Sequence, residues 1–357
     1  MAPRTEAELA AHIADCAGQG TPVRIIGGGT RGMVPSATLT TRELTGIVTY
    51  EPGELTLIAR AGTPVRDIEA TLAAQGQALA FEPADHCALL GGDGPATIGG
   101  VVAANVSGPR RILAGACRDH LLGVRFVDGQ GRIIKNGGRV MKNVTGMDLV
   151  KLMAGSYGTL GVLTEIVLKT LPRAPAQQTL AFAAMPPAQA VTLFSAALAT
   201  PFEVSGAAWQ GGTAWLRIEG LPAQLAYRRD RLAAQFADLR PGVLDDAESR
   251  DLWQDLRDIR HFAKASAPVW RIFVKPTDAP QVMDRLTRQG GAVSMDWGGG
   301  LIWYCGTADP NDSGIRATRL RGGARLAPAS SGAAGLARHL RKTFDPAGIL
   351  NPGLMER

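Results

Sequence analysis

Three glycine-rich segments are the part of this sequence best suited to chemistry. The first, residues 27–32 (Gly-Gly-Gly-Thr-Arg-Gly), follows an apolar stretch at 22–26 that predicts a short buried strand. Successive glycines let consecutive backbone N–H groups face one point without side chains in the way, which suits phosphate oxygens. Glycine turns that bind nothing are also common, so this segment alone leaves both interpretations open. A Rossmann fingerprint would also require a helix directly after the glycines, which the sequence does not predict.

Two further segments extend this pattern. Residues 95–109 (Pro-Ala-Thr-Ile-Gly-Gly-Val-Val-Ala-Ala-Asn-Val-Ser-Gly-Pro) predict a helix of small residues at 98–104, which Thr97 can cap. Its first turn can face a diphosphate; alternatively, the small residues serve only close packing on a sheet. Residues 155–161 (Gly-Ser-Tyr-Gly-Thr-Leu-Gly) place bare backbone before a predicted strand at 160–171. That arrangement suits a flat ring system, and the alternative is a plain glycine-rich turn.

The order and spacing of these segments, together with Arg118-Asp-His-Leu-Leu-Gly-Val, resemble the FAD-binding fold of the vanillyl-alcohol oxidase / p-cresol methylhydroxylase (PCMH-type) flavoproteins. The resemblance covers residues 20–171 and the tail at 344–353. Within that group, Ser107-Gly-Pro-Arg-Arg111 and Asp296-Trp-Gly-Gly-Gly300 make the chain most similar to the smaller FAD-binding (E) subunits of glycolate oxidases. The resemblance implies FAD as cofactor, with these binding residues: Gly27, Gly28, Gly29, Thr30, Arg31, Gly32, Thr97, Gly99, Gly100, Asn105, Ser107, Gly158, Gly161, Val162 and Asn351.

The resemblance also implies the architecture, which is α+β. We expect a two-subdomain PCMH-type FAD-binding domain at 1–172, followed at 177–325 by a smaller α/β (ferredoxin-like) cap domain for substrate or docking. A tail at 333–357 is expected to return to the FAD domain. The sequence Pro172-Arg-Ala-Pro-Ala176 predicts the boundary between the two domains, because its prolines interrupt regular structure.

Periodicity predicts individual elements within these domains. A helix at 5–17, capped by Thr5 with Glu8 completing a capping box, and a short strand at 80–83 are expected in the first domain. The second domain is expected to alternate strands and helices. Its predicted strands are 207–218, 269–275 and 300–305, and its predicted helices are 188–199, 221–237, 247–265 and 279–289.

The attachment of FAD is expected to be non-covalent. Some members of the resembled group bind FAD covalently through a histidine just after the first glycine pair, where this chain has no histidine. The pair His86-Cys87 is the alternative attachment point.

Catalytic residues are harder to assign. Larger members of the group use clustered histidines and an acid in the second domain as metal ligands and base, whereas His261 and His339 stand apart here, so no metal and no base is predicted. Weak catalytic candidates remain. Arg271 shares a strand face with Phe273 and Lys275 and can take a carboxylate. Arg257 and His261 share a helical face with Trp253. A solvated or salt-bridged surface is the alternative for both groups.

Composition excludes several classes of protein. The 357 residues carry a net charge of +6 with interspersed signs, so no nucleic-acid-binding stripe is predicted. No apolar run reaches the roughly 20 residues of a membrane helix, and no signal segment is visible, so a cytoplasmic location is expected, with membrane association only through a complex. The cysteines at 16, 87, 117 and 305 are far apart, which argues against an iron–sulfur cluster or zinc site and for reduced thiols.

The leading functional hypothesis is a FAD-binding subunit of a glycolate (2-hydroxy acid) oxidase or dehydrogenase complex. The resemblance implies two partners, a larger FAD-binding catalytic subunit and an iron–sulfur subunit that receives the electrons. The alternative is a non-catalytic, FAD-containing assembly and electron-transfer module of the same complex. A third hypothesis is a nicotinamide-dependent dehydrogenase of Rossmann type. The Arg110-Arg111 pair can offset diphosphate charge, bind substrate or contact a partner.

Overall fold

The chain forms two compact units. The computed structural model describes residues 1–32, 34, 36–92, 94–138, 147–323, 325–327 and 331–355. Unit 1 comprises Met1–Val106, Ala116–Pro172 and Pro328–Arg357, and unit 2 comprises Ser107–Gly115 and Arg173–Ala327. Residues 107–115 therefore belong to unit 2, although they lie within the first predicted domain.

Both units contain helices and strands. The α-helices are α1 (Glu6–Gln19), α2 (Val65–Ala73), α3 (Cys87–Leu90), α4 (Ile98–Ala103), α5 (Arg111–Ala114), α6 (Leu149–Met153), α7 (Pro187–Leu198), α8 (Pro222–Gln235), α9 (Asp246–Arg257), α10 (Ala279–Arg288) and α11 (Ser331–Phe344). The strands are β1 (Ile25–Ile26), β2 (Leu39–Thr40), β3 (Ile47–Glu51), β4 (Thr56–Arg60), β5 (Gln77–Ala78), β6 (Leu121–Val127), β7 (Ile133–Gly137), β8 (Val162–Lys169), β9 (Leu171–Pro172), β10 (Ala176–Phe182), β11 (Val204–Gln210), β12 (Thr213–Gly220), β13 (Gly242–Leu244), β14 (Val269–Phe273), β15 (Ala292–Asp296), β16 (Leu301–Cys305) and β17 (Ala317–Arg321).

Unit 1 is built on a five-stranded sheet in the order β3-β4-β8-β6-β7, with every pairing antiparallel. Strands β4 and β8 are buried along most of their length, which explains their nearly continuous apolar and threonine sequences. The small-residue helix α4 packs on β8, so the predicted helix at 98–104 and its close packing are confirmed. The Thr97 side chain caps it, as the sequence predicts.

The N-terminal helix and the C-terminal segment share a second core in unit 1. Thr5 Oγ1 accepts the Glu8 amide at 3.2 Å, and α1 buries Leu9 and Ile13 against Ile349 and Leu350. The Asp345 carboxylate accepts the amides of Ile349 and Leu350 at 3.1 and 2.7 Å, which fixes the turn after α11. These contacts bring the C-terminal chain beside residue 23, where the Val23 amide donates to the Ile349 carbonyl at 2.8 Å.

Unit 2 is built on an eight-stranded sheet in the order β13-β10-β12-β11-β15-β16-β14-β17. Its pairings are antiparallel, so neighbouring strands do not need helical crossovers. Helices α7, α8 and α10 bury apolar faces in its main core.

Three predicted elements are wrong. The predicted strand at 207–218 is the hairpin β11–β12, because Gly211 and Gly212 both adopt positive φ (57° and 86°) and form a tight turn. The predicted helix at 247–265 ends at Arg257, where the following turn places Ile259 at φ 56°. Residues 80–83 form no strand; instead the short β5 pairs with β9.

Candidate cofactor-binding site

A cavity of about 300 Å³ opens in unit 1 where the three glycine-rich segments meet. It lies between the end of β1, the start of α4 and the loop before β8. All but two of the predicted cofactor-binding residues line this cavity. The predicted residues that line it are Gly27, Gly28, Gly29, Thr30, Arg31, Gly32, Thr97, Gly99, Gly100, Gly158, Gly161, Val162 and Asn351.

The first glycine segment presents backbone donors because its carbonyls are held on one side. Thr40 Oγ1 donates to the Gly27 carbonyl at 3.2 Å, and the Arg42 guanidinium donates to the Gly28 carbonyl. In a trans peptide the N–H points opposite to the C=O, so the amides of Gly28 and Gly29 face away from Thr40 and Arg42. Among the described residues, no acceptor takes a hydrogen bond from the amides of residues 27–30. An anion with several oxygens can satisfy such a row of donors.

The same glycines also permit the first segment to touch the second. A Cβ on Gly27 would lie 2.3 Å from Thr97 Oγ1, and one on Gly28 would lie 2.0 Å from the Pro95 carbonyl oxygen. No real Cβ tolerates such distances, so any larger residue would force the segments apart. Gly27 and Gly28 are therefore compatible with both interpretations, the close packing of the two segments and the binding of a ligand.

The start of α4 is less available to a ligand than the sequence predicts. The Gly99 amide donates to the Ala61 carbonyl at 2.7 Å, and the Ile98 amide donates to the Thr63 carbonyl at 3.0 Å. The Gly100 amide donates to Thr97 Oγ1 at 3.4 Å. Because these donors are used within the protein, the free amides come from the first segment and α4 contributes mainly its bare surface. Among the described residues, a Cβ on Gly100 would meet only Thr97 Oγ1 within 4 Å, at 3.3 Å.

Asn351 ties the third segment to β1. Its Oδ1 accepts the Ile25 amide at 2.7 Å, and its Nδ2 donates to the Tyr157 carbonyl at 2.8 Å. Its backbone amide donates to the Val23 carbonyl at 2.9 Å, and its φ of 44° is one that asparagine tolerates better than most residues. Asn351 is 4% exposed, so it fixes the shape of the cavity wall from within.

Two predicted cofactor residues do not line the cavity. Asn105, at φ 48°, accepts the Arg118 amide on its Oδ1 at 3.0 Å and so shapes the turn before β6. Ser107 belongs to unit 2. Sequence reasoning in turn missed Arg42, which lies outside the glycine-rich segments, and Tyr157, which lies within the third segment but was not named as a cofactor-binding residue. Arg42 acts through a contact made 14 residues away, and Tyr157 lines the cavity at φ 52°.

Comparison with known proteins agrees with this geometry. A family model described as "FAD binding domain" matches residues 1–137. Glycolate oxidase subunit GlcE of Escherichia coli is 37% identical over 331 residues, which is 90% of this chain and 88% of that protein. The chain belongs to the GlcE family of PCMH-type FAD-binding proteins. It is a FAD-dependent oxidoreductase, and the predicted family and the predicted cofactor are confirmed.

Other relatives match about half of this chain. Glycolate oxidase subunit GlcD of Bacillus subtilis is 30% identical over 186 residues, 50% of this chain but 38% of that protein. D-Lactate dehydrogenase of Archaeoglobus fulgidus is 31% identical over 48% of this chain and 38% of that protein. A solved structure of alkyldihydroxyacetonephosphate synthase matches with a TM-score of 0.69 at 16% identity, covering 99% of this chain and 76% of that one, which shows a shared fold. The Rossmann-type hypothesis is therefore wrong.

The weak catalytic candidates lie in unit 2 and have different partners. Arg257 pairs with the Asp258 carboxylate at 2.8 and 3.0 Å, and since α9 ends at Arg257, it does not share a helical face with His261. His261 Nε2 lies 2.9 Å from Ser294 Oγ, and burial lowers the pKa of this imidazole to about 4. Arg271 and Phe273 do share a strand face, with the guanidinium 5.1 Å from the ring centroid. Lys275 lies beyond the end of β14.

Two features are absent from the described ranges, a cluster of metal ligands and a membrane-spanning helix. Within those residues, no group of three His, Cys, Asp or Glu side chains is placed to hold a metal ion. No helix in the described part of the chain is both long and apolar enough to cross a membrane. The four cysteines are unbridged, and burial raises the pKa of the Cys117 thiol.

Proposed function

We propose that this chain is the FAD-binding subunit of a 2-hydroxy-acid oxidase or dehydrogenase complex, with glycolate as the first substrate to test. The observation that carries the proposal is the similarity to GlcE, which extends over nearly the full length of both chains. The relatives named for D-lactate and D-2-hydroxyglutarate oxidation support the same substrate class, because these compounds share a hydroxyl group next to a carboxylate.

The residues of unit 1 fit a non-covalently held FAD. We propose that the amides of residues 28–30 bind its diphosphate and that the backbone at 158–162 lies along the rest of the molecule. FAD bound there would accept a hydride, that is, two electrons and one proton, from the substrate carbon. Arg31, not histidine, follows the first glycines, and the ring of His86 is hydrogen-bonded to Arg31. These two facts support non-covalent binding over attachment at His86-Cys87.

Unit 2 is proposed to act as the cap domain, for substrate or docking, and the C-terminal segment as a tail that completes the FAD domain. The proposed boundaries are 1–172, 177–325 and 333–357. Arg271 is the residue of unit 2 best suited to a substrate carboxylate, because a guanidinium on a strand can bind both oxygens. Arg257 is less suited, since Asp258 already takes two of its donors.

Partner subunits are part of the proposal. His261, whose pKa is near 4, is neutral at pH 7 and bound to Ser294, and no second histidine is among its partners. We propose that electrons leave through an iron–sulfur subunit and that a larger FAD-binding subunit completes the complex, in the cytoplasm. The relatives named as glycolate oxidase subunits GlcE and GlcD support a complex of several subunits. A specific observation favours a second candidate, a non-catalytic FAD module: the described residues of unit 2 provide no histidine cluster with an acid.

Anaerobic reduction of the bound flavin tests both candidates. The FAD-loaded chain would be mixed with glycolate, alone and after co-expression with the other two subunits, while absorbance near 450 nm is followed. We expect slow bleaching of the isolated chain and fast bleaching in the complex. In the complex, Arg271→Gln should slow bleaching of this chain's flavin if unit 2 binds substrate, whereas an unchanged rate would favour the non-catalytic module. Bleaching at catalytic rates by the isolated chain would refute the need for partners.

A further inference from the structure

We propose that Thr40 and Arg42 are positioning residues for the cofactor diphosphate, because they hold peptide planes of the first glycine segment in the orientation that an anion needs. The inference rests on the proposed position of the diphosphate in unit 1 and not on the substrate. Thr40 Oγ1 donates to the Gly27 carbonyl at 3.2 Å. The Arg42 guanidinium donates to the next carbonyl along the chain, that of Gly28. Both side chains therefore act on the cofactor through the backbone of the loop.

Two further hydrogen bonds complete this arrangement. Thr40 Oγ1 accepts the Arg42 amide at 3.3 Å, which leaves the single hydroxyl proton for the Gly27 carbonyl. The Thr41 amide donates to the Ile26 carbonyl at 3.0 Å, next to the parallel pairing of β1 with β2. Residues 40–42 thus hold three consecutive carbonyls, those of residues 26–28, and we call these three residues the carbonyl clamp.

Glycine peptides need such a clamp because glycine adopts left-handed and right-handed backbone conformations at similar cost. If one of these peptides turned over, its carbonyl oxygen would take the place of its N–H and would repel an anion. The carbonyl clamp excludes that orientation before a ligand arrives. FAD binding then does not have to supply the free energy of ordering the loop.

The glycine at 94 leaves room for the arginine of the clamp. A Cβ on Gly94 would lie 2.5 Å from Arg42 Nη2 and 2.8 Å from the Gly28 carbonyl oxygen, which are the two atoms of this hydrogen bond. Gly94 does not have a positive φ. Space for the hydrogen bond, and not backbone conformation, is therefore the reason that a glycine is required there.

Three threonine variants test the clamp without changing any charge. Thr40→Val has nearly the same shape but no hydroxyl, and its dissociation constant for FAD should rise about 3- to 10-fold, as expected for one neutral hydrogen bond. Thr40→Ser keeps the hydroxyl and should stay within about 2-fold of the wild type. Thr38→Val is the matched control, because Thr38 Oγ1 accepts the Arg24 amide at 2.9 Å and, among the described residues, donates to no carbonyl of the loop. It should lower the melting temperature of the apoprotein about as much as Thr40→Val does, but bind FAD normally.

The arginine is tested by two variants at low and high salt. Arg42→Met removes the donor and should weaken FAD binding roughly 10-fold, whereas Arg42→Lys should lose less because its ammonium can donate to the same carbonyl. An exposed charge also attracts an anion through solvent, and that attraction is largely screened at about 0.5 M KCl. The loss in Arg42→Met should persist at that salt concentration. A loss confined to low salt would assign Arg42 to charge attraction instead of positioning.

Competition by ADP shows which part of FAD the clamp serves. ADP carries the diphosphate without the flavin, so it should compete with FAD and lose affinity by a similar factor in Thr40→Val and Arg42→Met. Unchanged ADP competition in both variants would overturn the assignment to the diphosphate. Wild-type FAD affinity in Thr40→Val, or an equal loss in Thr38→Val, would overturn the role of the threonine. If Thr40→Val does not fold, Arg42→Met carries the same test, because its side chain is exposed. These titrations contain no hydroxy acid, so their failure leaves the proposed function standing, and failure of substrate oxidation leaves this inference standing.

Discussion

Replacing Gly28 with alanine is the most direct perturbation of the site. The added Cβ would lie 2.0 Å from the Pro95 carbonyl oxygen and 3.0 Å from its carbon, both of which are backbone atoms that cannot rotate away. Ordinary contacts begin near 3.4 Å, so the two segments must separate by about 1.4 Å (3.4 minus 2.0). Overpacking of this kind costs about 1–3 kcal/mol of the free energy of unfolding. A shift of that size also breaks the alignment of the amides of residues 28–30.

Two measurements separate these effects. The apoprotein of Gly28→Ala should unfold at a lower temperature, and its dissociation constant for FAD, from flavin fluorescence quenching, should rise at least about 10-fold, since a lost hydrogen bond to a charged group costs about 1.5–3 kcal/mol. Gly18→Ala is the matched control, because its Cβ in α1 meets nothing within 4 Å. It should bind FAD normally and be at least as stable, given the helix propensity of alanine. Wild-type FAD affinity in Gly28→Ala would refute the reasoning that these amides bind the cofactor.

Three further predictions concern other parts of the chain. Asn351→Ala should cost about 1–3 kcal/mol of stability by calorimetry, because the partly buried Ile25 amide and Tyr157 carbonyl lose the hydrogen bonds that Asn351 makes to them, and an unchanged melting temperature would contradict this. Gly100→Ala should leave the apoprotein stable but weaken FAD binding, since its Cβ meets only Thr97 Oγ1 within 4 Å; full affinity would show that the cofactor lies elsewhere. In the folded protein the pKa of His261 is about 4, below its ordinary value of 6.5. The neutral ring therefore contributes fully to the free energy of unfolding above pH 6.5, and that free energy falls by at most about 3 kcal/mol as the pH drops toward 4. His261→Gln should flatten that part of a denaturation profile against pH, whereas an unaltered slope would assign it to other groups.

The local features of unit 1 were predictable because local chemistry dictates them. The glycine segments, the Thr97 cap and the helix at 98–104 follow from residues that lie next to one another. Elements that depend on distant partners were not predictable. Strand β5 exists because Gln77 and Ala78 pair with β9 at residues 171–172. Its neighbours at 80–83 have similar apolar character but pair with no strand in the part of the chain that the structure describes.

In unit 2 the same contrast appears at the hairpin β11–β12. A window over 207–218 averages two strands with similar composition, and the reversal is marked by the Gly211-Gly212 pair, in which both residues have positive φ. The end of α9 is similar. The helical periodicity of the sequence continues past Arg257, but the helix ends because Ile259 adopts a left-handed backbone conformation. A β-branched residue rarely adopts that conformation, so the sequence does not predict the end of the helix there.

The availability of the loop amides is not a property of the glycines alone. Gly27 and Gly28 are required where the first segment meets Thr97 and Pro95, and this requirement would exist without any ligand. The direction of the amides is set instead by Thr40 and Arg42, which hold the carbonyls of those two glycines. A loop with the same glycines but with its carbonyls turned to the other side would present oxygen atoms, which repel a diphosphate. Residues outside the motif therefore decide whether the motif binds an anion, which is why a glycine pattern by itself predicts a tight approach of backbone more reliably than it predicts a ligand.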